Sequence, residues 1–252
     1  MRRKLIAGNW KMNQTKSDGL ALAKAVFEVA SKEKGNFDVL ICPGMNLLPL
    51  VAELPHDGVY LGAQDVSVAP KDFGAYTGDV SAAQLKDLGA THVIVGHSER
   101  RAMRHETDSV VREKAVNAIE KGLVPVICVG ETLEEREEGK ALEVVCRQIK
   151  ESVPSVSTGE NTVIAYEPVW AIGTGKVPSI QDVEEMHTAI REEIKSLLGE
   201  EVASTMKVLY GGSVKPSTVN ELFAEEDIDG FLVGGAALKA DDFLTLCNAC
   251  VK

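Results

Sequence analysis

Residues 92–129 read HVIVGHSERRAMRHETDSVVREKAVNAIEKGLVPVICV. Two short runs that are apolar on both faces, His92–Val95 and Val124–Val129, flank a longer and more polar stretch. Within that stretch, Ser109–Lys121 places apolar residues at helical spacing and is followed by Gly122, a common helix stop signal. Strands that are apolar on both faces are typical of a parallel sheet covered by helices. The stretch therefore predicts a strand–helix–strand unit.

The same alternation extends in both directions along the chain. Eight predicted strands share the short apolar character: Lys4–Gly8, Phe37–Cys42, Val59–Ala63, His92–Val95, Val124–Val129, Thr162–Tyr166, Lys207–Tyr210 and Gly230–Val233. Gly19–Ser31 has a helical repeat, and Ser179–Leu198 opens with a capping-box spacing and closes at Gly199. Eight such units in 252 residues, without a linker, predict a single (β/α)8 TIM-barrel domain over residues 1–252. An open doubly wound sheet is the alternative.

Charge and composition limit the classes of partner. The 27 basic residues are outnumbered by 38 acidic ones, and this net charge of −11 argues against nucleic acid or an anionic membrane as the main partner. No apolar run is long enough to span a membrane, and the run after the basic Met1–Lys4 is too short for a signal peptide. Five scattered cysteines favour a reducing compartment, so we expect a cytoplasmic protein. Cys247 and Cys250 fit two helix residues better than a metal or redox pair.

Chemistry in barrels of this kind sits at the C-terminal ends of the strands. The residues that follow the predicted strands there are Asn9 to Lys11, Gln64 to Val80, Gly96 to Arg100, Glu167 to Val177, Gly211 to Ser213, and Gly234 with Gly235. A lysine, a histidine, a carboxylate and two glycine pairs should therefore meet on one rim.

The polar side chains on this rim suggest proton transfer. Glu167 ends a buried strand, where a dry site should raise the pKa of its carboxyl and make it a better base; an ion pair capping the rim is the alternative. His97 could donate to a carbonyl oxygen and shuttle a proton between oxygens, or be a hydrogen-bonded rim residue. Lys11 could stabilise an enolate oxygen, or be a solvated lysine. Asn9 could orient the same oxygen, or satisfy a loop backbone.

The glycine pairs and the segment after Glu167 suggest phosphate binding under a lid. Gly211–Ser213 and Gly234–Gly235 can bring backbone N–H groups close to an anion, although turn chemistry would need glycines too. Val169–Val177 contains two glycines and is bracketed by Pro168 and Pro178, which predicts a lid that excludes water. Gly175–Lys176 lacks the Ser or Thr that a P-loop requires, and nothing in the sequence predicts a metal or an organic cofactor.

Long stretches of the sequence resemble the triosephosphate isomerase family, between about residue 5 and residue 240. The stretches that carry the resemblance are Gly8 to Asn13, Val93 to Arg101, Ala165 to Lys176, Tyr210 to Val214 and Gly230 to Ala236. The resemblance implies interconversion of D-glyceraldehyde 3-phosphate and dihydroxyacetone phosphate, a step of glycolysis and gluconeogenesis, without a cofactor.

The resemblance also implies roles for individual residues. Glu167 would be the base, His97 the electrophile, Asn9 and Lys11 the substrate-binding pair, Glu99 a supporting residue, and Gly173, Ser213, Gly234 and Gly235 the phosphate-binding donors. The loop around Ala75–Gly78 resembles one that docks into a second subunit, which implies a homodimer.

Three positions depart from the usual pattern of the family. Asp65 stands where Asn is usual, and its charge should weaken the subunit interface unless it is paired or solvated. Pro178 should stiffen the end of the lid, since its φ is fixed. Ala237 replaces a common serine, which should cost a polar contact near the phosphate.

Two other functions stay open at this point. A Schiff-base aldolase would need an interior lysine as its electrophile, and a catalytically inactive phosphate-binding scaffold would keep the fold without turnover. The acidic run that includes Glu134, Glu135, Glu137 and Glu138 is interpreted as a solvated helix surface rather than a binding face.

Overall fold

The chain folds into a closed barrel of eight parallel strands. The computed structural model describes residues 2–30, 35–172, 178–214 and 218–249. The strands are β1 Lys4–Asn9, β2 Phe37–Cys42, β3 Val59–Ala63, β4 His92–Val95, β5 Val124–Val129, β6 Val163–Tyr166, β7 Lys207–Tyr210 and β8 Gly230–Val233. Each strand pairs in parallel with its neighbour in sequence, and β8 pairs with β1. The predicted barrel is therefore confirmed, and the open-sheet alternative is wrong.

Successive side chains of each strand enter two different cores. On β1, Leu5 and Ala7 point into the barrel, while Ile6 belongs to the larger core between the barrel and the helices. The interior core is formed by Leu5, Ala7, Leu40, Cys42, Ile94, Val126, Cys128, Val163, Ala165, Leu209 and Leu232. Because most side chains of the strands are buried on one face or the other, the strands are predominantly apolar.

Helices surround the barrel between the strands. They are α1 Lys16–Ala30, α2 Leu48–Ala52, α3 Ala82–Asp87, α4 Ser98–Arg104, α5 Asp108–Glu120, α6 Leu133–Glu137, α7 Ala141–Ser152, α8 Ile180–Leu198, α9 Glu200–Thr205, α10 Val219–Ala224 and α11 Ala240–Asn248. The predicted capping box at the start of α8 is present, with Ser179 and Asp182 bonded to each other's backbone N–H groups. Cys247 lies on α11 as expected, whereas Cys250 lies outside the described residues.

The described part of the chain contains neither a candidate membrane-spanning helix nor a candidate metal-binding cluster. Over those ranges, no helix is both long enough and apolar enough to cross a membrane. The same ranges hold no group of three or more His, Cys, Asp or Glu side chains arranged to hold a metal ion.

Candidate active site

A cavity of about 420 Å³ opens at the C-terminal ends of the strands. Its lining includes Asn9, Lys11, Asn13, His97, Glu167, Ile172, Gly211 to Val214, Leu232 to Ala236 and Leu238. The structure thus brings together the lysine, the histidine, the carboxylate and both glycine pairs that the sequence placed on this rim. The volume falls in the range of small-molecule sites.

Glu167 is almost fully buried at the end of β6, with 2% of its surface exposed. One carboxylate oxygen, Oε1, lies 2.9 Å from His97 Nε2, and the other, Oε2, accepts a 2.9 Å hydrogen bond from the backbone N–H of Ser98. Its Cγ packs against Gly211, where a Cβ atom would come within 2.9 Å of it. The glycine after β7 therefore leaves room for the side chain of Glu167.

His97 is held in a defined tautomer by its own loop. The backbone N–H of Glu99 donates to His97 Nδ1 over 3.2 Å, so in the neutral ring Nδ1 is the acceptor and the proton is on Nε2. That proton points at Glu167 Oε1. Burial alone would lower the pKa of His97, but the facing carboxylate of Glu167 outweighs burial and the pKa is raised.

The carboxyl of Glu167 shows the complementary shift. Burial favours its neutral form, but the pKa of Glu167 is lowered overall by the charge and hydrogen bond of His97, by the N–H of Ser98 and by the charge of Lys11. The prediction that a dry site raises this pKa is wrong for this arrangement, because three donors or cations surround the carboxylate and outweigh its desolvation.

Lys11 reaches the cavity from a strained loop. Its φ is +52°, a left-handed conformation that costs energy for a residue with a side chain and is common at functional sites. Its backbone N–H donates to Asn9 Oδ1 over 2.9 Å, and its carbonyl accepts from Gln64 Nε2 over 2.9 Å. Its ammonium group lies 2.6 Å from Glu99 Oε1. Asn9 therefore satisfies a loop backbone and also lines the cavity, and Glu99 holds Lys11 close to His97.

Part of the cavity lining comes from the glycine-rich loops after β7 and β8. Ser213 lies in the loop after β7, and Gly234 and Gly235 follow β8, so all three face the same space as Lys11. A Cβ on Gly235 would meet no atom within 4 Å, which leaves its backbone accessible from the cavity. Gly173, the fourth predicted phosphate-binding residue, lies outside the described residues, as does most of the predicted lid.

Comparisons with known proteins agree with this geometry. A family model described as triosephosphate isomerase matches residues 4–250. The chain belongs to the triosephosphate isomerase family. A triosephosphate isomerase of Rhizobium meliloti is 50% identical over 98% of this chain and 96% of its own length. Another, of Thermoanaerobacter pseudethanolicus, is 47% identical over 98% of this chain and 100% of its own length. The crystal structure of triosephosphate isomerase from Bartonella henselae superposes with a TM-score of 0.91, at 45% identity, over 99% of this chain and all of that chain.

Membership of the triosephosphate isomerase family confirms the predicted enzyme class. The chain is an aldose–ketose isomerase of this family, with the place in glycolysis that the family implies. The aldolase alternative is thereby excluded.

Two of the three departures from the triosephosphate isomerase pattern have a structural explanation. Asp65 is paired: its oxygens lie 2.6 Å from Arg100 and 2.6 Å from Lys114. Ala237 is buried and absent from the cavity lining, and a Cβ on Gly8 would lie 3.0 Å from its methyl group. The prediction of a lost phosphate contact at Ala237 is therefore wrong, because its side chain packs towards β1 rather than towards the cavity.

Sequence reasoning did not identify several supports of this site. Glu131 is fully buried and accepts hydrogen bonds from Tyr166 and from Trp170 Nε1, at 3.1 and 2.8 Å. Gln148, on α7, bonds to the backbone of Gly130. A carboxylate two residues after β5 and a lone glutamine on a helix face carry no motif, so only their positions in space reveal them.

Proposed function

We propose that this chain interconverts D-glyceraldehyde 3-phosphate and dihydroxyacetone phosphate with Glu167 as the base and His97 and Lys11 as the groups that stabilise charge on oxygen. The observation that carries the assignment is the 2.9 Å pair of Glu167 and His97 inside a cavity that also holds Lys11. A carboxylate, a ring N–H donor and a cation in one small cavity are the groups that proton abstraction next to a carbonyl requires.

The reaction divides between carbon and oxygen. Glu167 removes a proton from the carbon beside the carbonyl; the electron pair of the C–H bond forms a C=C bond, and the carbonyl π electrons move to the oxygen. His97 donates its Nε2 proton to that oxygen and takes one from the neighbouring oxygen, while Lys11 stabilises the negative charge. Glu167 then returns its proton to the neighbouring carbon. Each donor at the developing oxyanion contributes about 3 kcal/mol.

The glycine-rich wall is suited to the phosphate of the substrate. Backbone N–H groups bind anions well where no side chain obstructs them, and Ser213, Gly234 and Gly235 line the same cavity as Glu167. The phosphate does not react, but its binding energy can hold the reacting carbons against the base. Gly173 is assigned to the same group by resemblance alone.

The test is turnover of the two triose phosphates by purified protein, with Glu167→Gln beside the wild type. The amide keeps the shape and an acceptor for Ser98 but cannot take a proton, so kcat should fall by at least about 10²–10⁴-fold. Circular dichroism of both proteins controls for folding. Equal activity would overturn the role of Glu167, and a folded wild type without turnover would favour the inactive scaffold.

We further propose that the chain forms a homodimer through the loop around Ala75–Gly78. Apolar side chains near this loop and on the first rim loop face solvent: Phe73 is 72% exposed and Met12 is 99% exposed. Exposed apolar groups of this size typically mark a surface that another protein covers. Sedimentation of the wild type as a dimer, and of Phe73→Ser with Tyr76→Ser as a monomer, is expected. A wild type that sediments as a monomer at micromolar concentration would contradict the proposal. The cytoplasmic location stays a prediction.

A further inference from the structure

Gln148 is a buried polar residue whose side-chain amide binds the backbone of a single residue, Gly130. It lies on α7, is 8% exposed, and is absent from the lining of the cavity. The backbone N–H of Gly130 donates to Gln148 Oε1 over 2.7 Å, and Gln148 Nε2 donates to the carbonyl of Gly130 over 3.2 Å. Two bonds from one amide to the N–H and the C=O of the same residue fix both its position and its orientation.

Gly130 in turn forms the support beneath the backbone of Glu167. A Cβ on Gly130 would lie 1.7 Å from the carbonyl oxygen of Glu167 and 2.7 Å from its carbonyl carbon, so the two main chains are in direct contact. The flanking residues bind the same segment: Glu167 N–H donates to the carbonyl of Val129 over 2.7 Å, and Val169 N–H donates to that of Glu131 over 3.1 Å. The backbone of residues 129–131 therefore extends β5 as a template for residues 167–169.

We propose that Gln148 is a positioning residue for the reaction, which acts on Glu167 through Gly130. The inference rests on the proposed function, in which Glu167 is the base. Without the amide of Gln148, Gly130 would keep neither of these two bonds and would have no side chain to restrict its φ and ψ. The backbone of Glu167 would then rest on a mobile support. Proton abstraction depends steeply on the distance between the base and the carbon, so a displacement of Glu167 should lower kcat.

The principal variant is Gln148→Met, which keeps the length of the side chain and removes both hydrogen bonds. We expect kcat to fall by on the order of 10–100-fold, the scale of an ångström-size misplacement. The KM and the inhibition constant of inorganic phosphate should stay within about twofold, since the hydrogen bonds of the Gln148 amide go to Gly130 and not to Ser213, Gly234 or Gly235, and phosphate contacts are uniform between ground and transition state. Val145→Ala is the matched control: Val145 is fully buried one turn earlier on α7, so it should lower the melting temperature without lowering kcat.

Gln148→Glu distinguishes positioning from mere stability. A neutral carboxylic acid offers a C=O acceptor and an O–H donor and can replace the amide, whereas the ionised form has no donor. The kcat of this variant relative to the wild type should therefore fall as the pH is raised from about 6 to about 9, across the range in which buried carboxyls titrate. If Gln148 only stabilised the fold, the ratio of the kcat of Gln148→Glu to that of the wild type would not change with pH at assay temperatures far below the melting temperature.

Each outcome decides the inference. A Gln148→Met protein that folds and keeps wild-type kcat overturns it, and so does a lower melting temperature with kcat unchanged, as in Val145→Ala. If Gln148→Met does not fold, a ratio for Gln148→Glu that is constant with pH overturns it. These failures differ from failure of the proposed function, in which the wild type is inactive or Glu167→Gln is as active as the wild type.

Discussion

Asp229 closes the barrel and offers a sharp test of how much one buried carboxylate contributes to its stability. It directly precedes β8 and is 1% exposed. Its carboxylate accepts from Arg2 Nε over 2.6 Å, from Arg191 Nη2 over 2.8 Å and from the backbone N–H of Val208 over 2.9 Å. Its carbonyl accepts from the N–H of Leu5 over 2.8 Å. One residue thus links β7, β8 and β1 at the seam of the barrel.

The perturbation is Asp229→Asn, which keeps the size and removes the charge. The asparagine side chain has one oxygen and one NH2 group. Its NH2 group must therefore face a donor, either Arg2 or the pair formed by Arg191 and the N–H of Val208, and the hydrogen bonds on that side are lost. Removing one partner of a fully buried ion pair costs about 3–5 kcal/mol. The two arginines are 19% and 13% exposed, and Arg191 keeps a 2.5 Å contact with Asp227, so we reduce the expected loss to about 2–4 kcal/mol.

The assay is urea unfolding followed by circular dichroism at one fixed protein concentration, since association of subunits would stabilise the folded state by mass action. The midpoint should fall without a change in slope, because the surface exposed on unfolding is the same. Turnover at low temperature should be unaffected, as Asp229 lies at the end of the barrel opposite the cavity. A loss below about 0.5 kcal/mol would refute the reasoning and place this network among ordinary surface pairs.

Three further predictions concern single residues. His105 follows α4 with a left-handed φ of +53°, which is strained for a residue with a side chain. The His105→Gly variant should be more stable by about 0.5–1 kcal/mol, because the strain that is relieved exceeds the entropy that glycine adds to the unfolded chain. An unchanged urea midpoint would contradict this. In the folded protein the pKa of His97 is raised above its ordinary value of 6.5, and the pKa of Glu167 is lowered below its ordinary value of 4.5. The ion pair therefore contributes its full stability between pH 4.5 and pH 6.5. This contribution is lost as the pH rises through the folded-state pKa of His97 or falls through that of Glu167. The gap in melting temperature between the wild type and His97→Gln should peak in this window, and a gap that is flat from about pH 4 to 8 would be evidence against it. Burial raises the pKa of Asp65 above 3.8 despite the charges of Lys114 and Arg100, so the ionised form of Asp65 costs stability at neutral pH. The Asp65→Asn variant should therefore melt ~2 °C higher than the wild type at pH 7 and at the same temperature below pH 3.8. A lower melting temperature of the variant at pH 7 would show that the ion pairs outweigh burial.

The sequence predicted the strand bounds and the starts of α5 and α8 to within one residue, but it missed the first turn of α1, for a physical reason. The bounds of β2, Phe37–Cys42, were predicted correctly because apolar character begins and ends with the buried strand. Helix α1 begins at Lys16, three residues before its predicted start, because its first turn is polar: Thr15 accepts from Asp18 N–H at 3.4 Å and donates to its carboxylate at 2.6 Å. Caps are polar by nature, so hydrophobic periodicity misses the turn that they hold.

In the candidate active site, too, some features follow from the sequence pattern and others do not. Which residues reach the rim follows from the strand order, so Lys11, His97 and Glu167 could be placed together from the sequence. The bond from Ser98 N–H to Glu167 joins residues 69 positions apart, and no local pattern encodes it. The sequence of α4 likewise does not indicate that the N–H of its first residue, Ser98, donates to the carboxylate of Glu167.

The pKa of Glu167 shows how this missing information bears on the chemistry. A carboxylate held by two donors and lowered in pKa is a weak base, which is the opposite of what proton abstraction needs. Under the proposed function, the carbonyl oxygen of the substrate competes with Glu167 Oε1 for the Nε2 proton of His97. Transfer of that hydrogen bond to the substrate removes one of the influences by which His97 lowers the pKa of Glu167, while burial, which raises it, remains. Binding therefore strengthens the base at the moment when a carbon acid lies beside it, and Glu167 stays a weak base towards other proton donors.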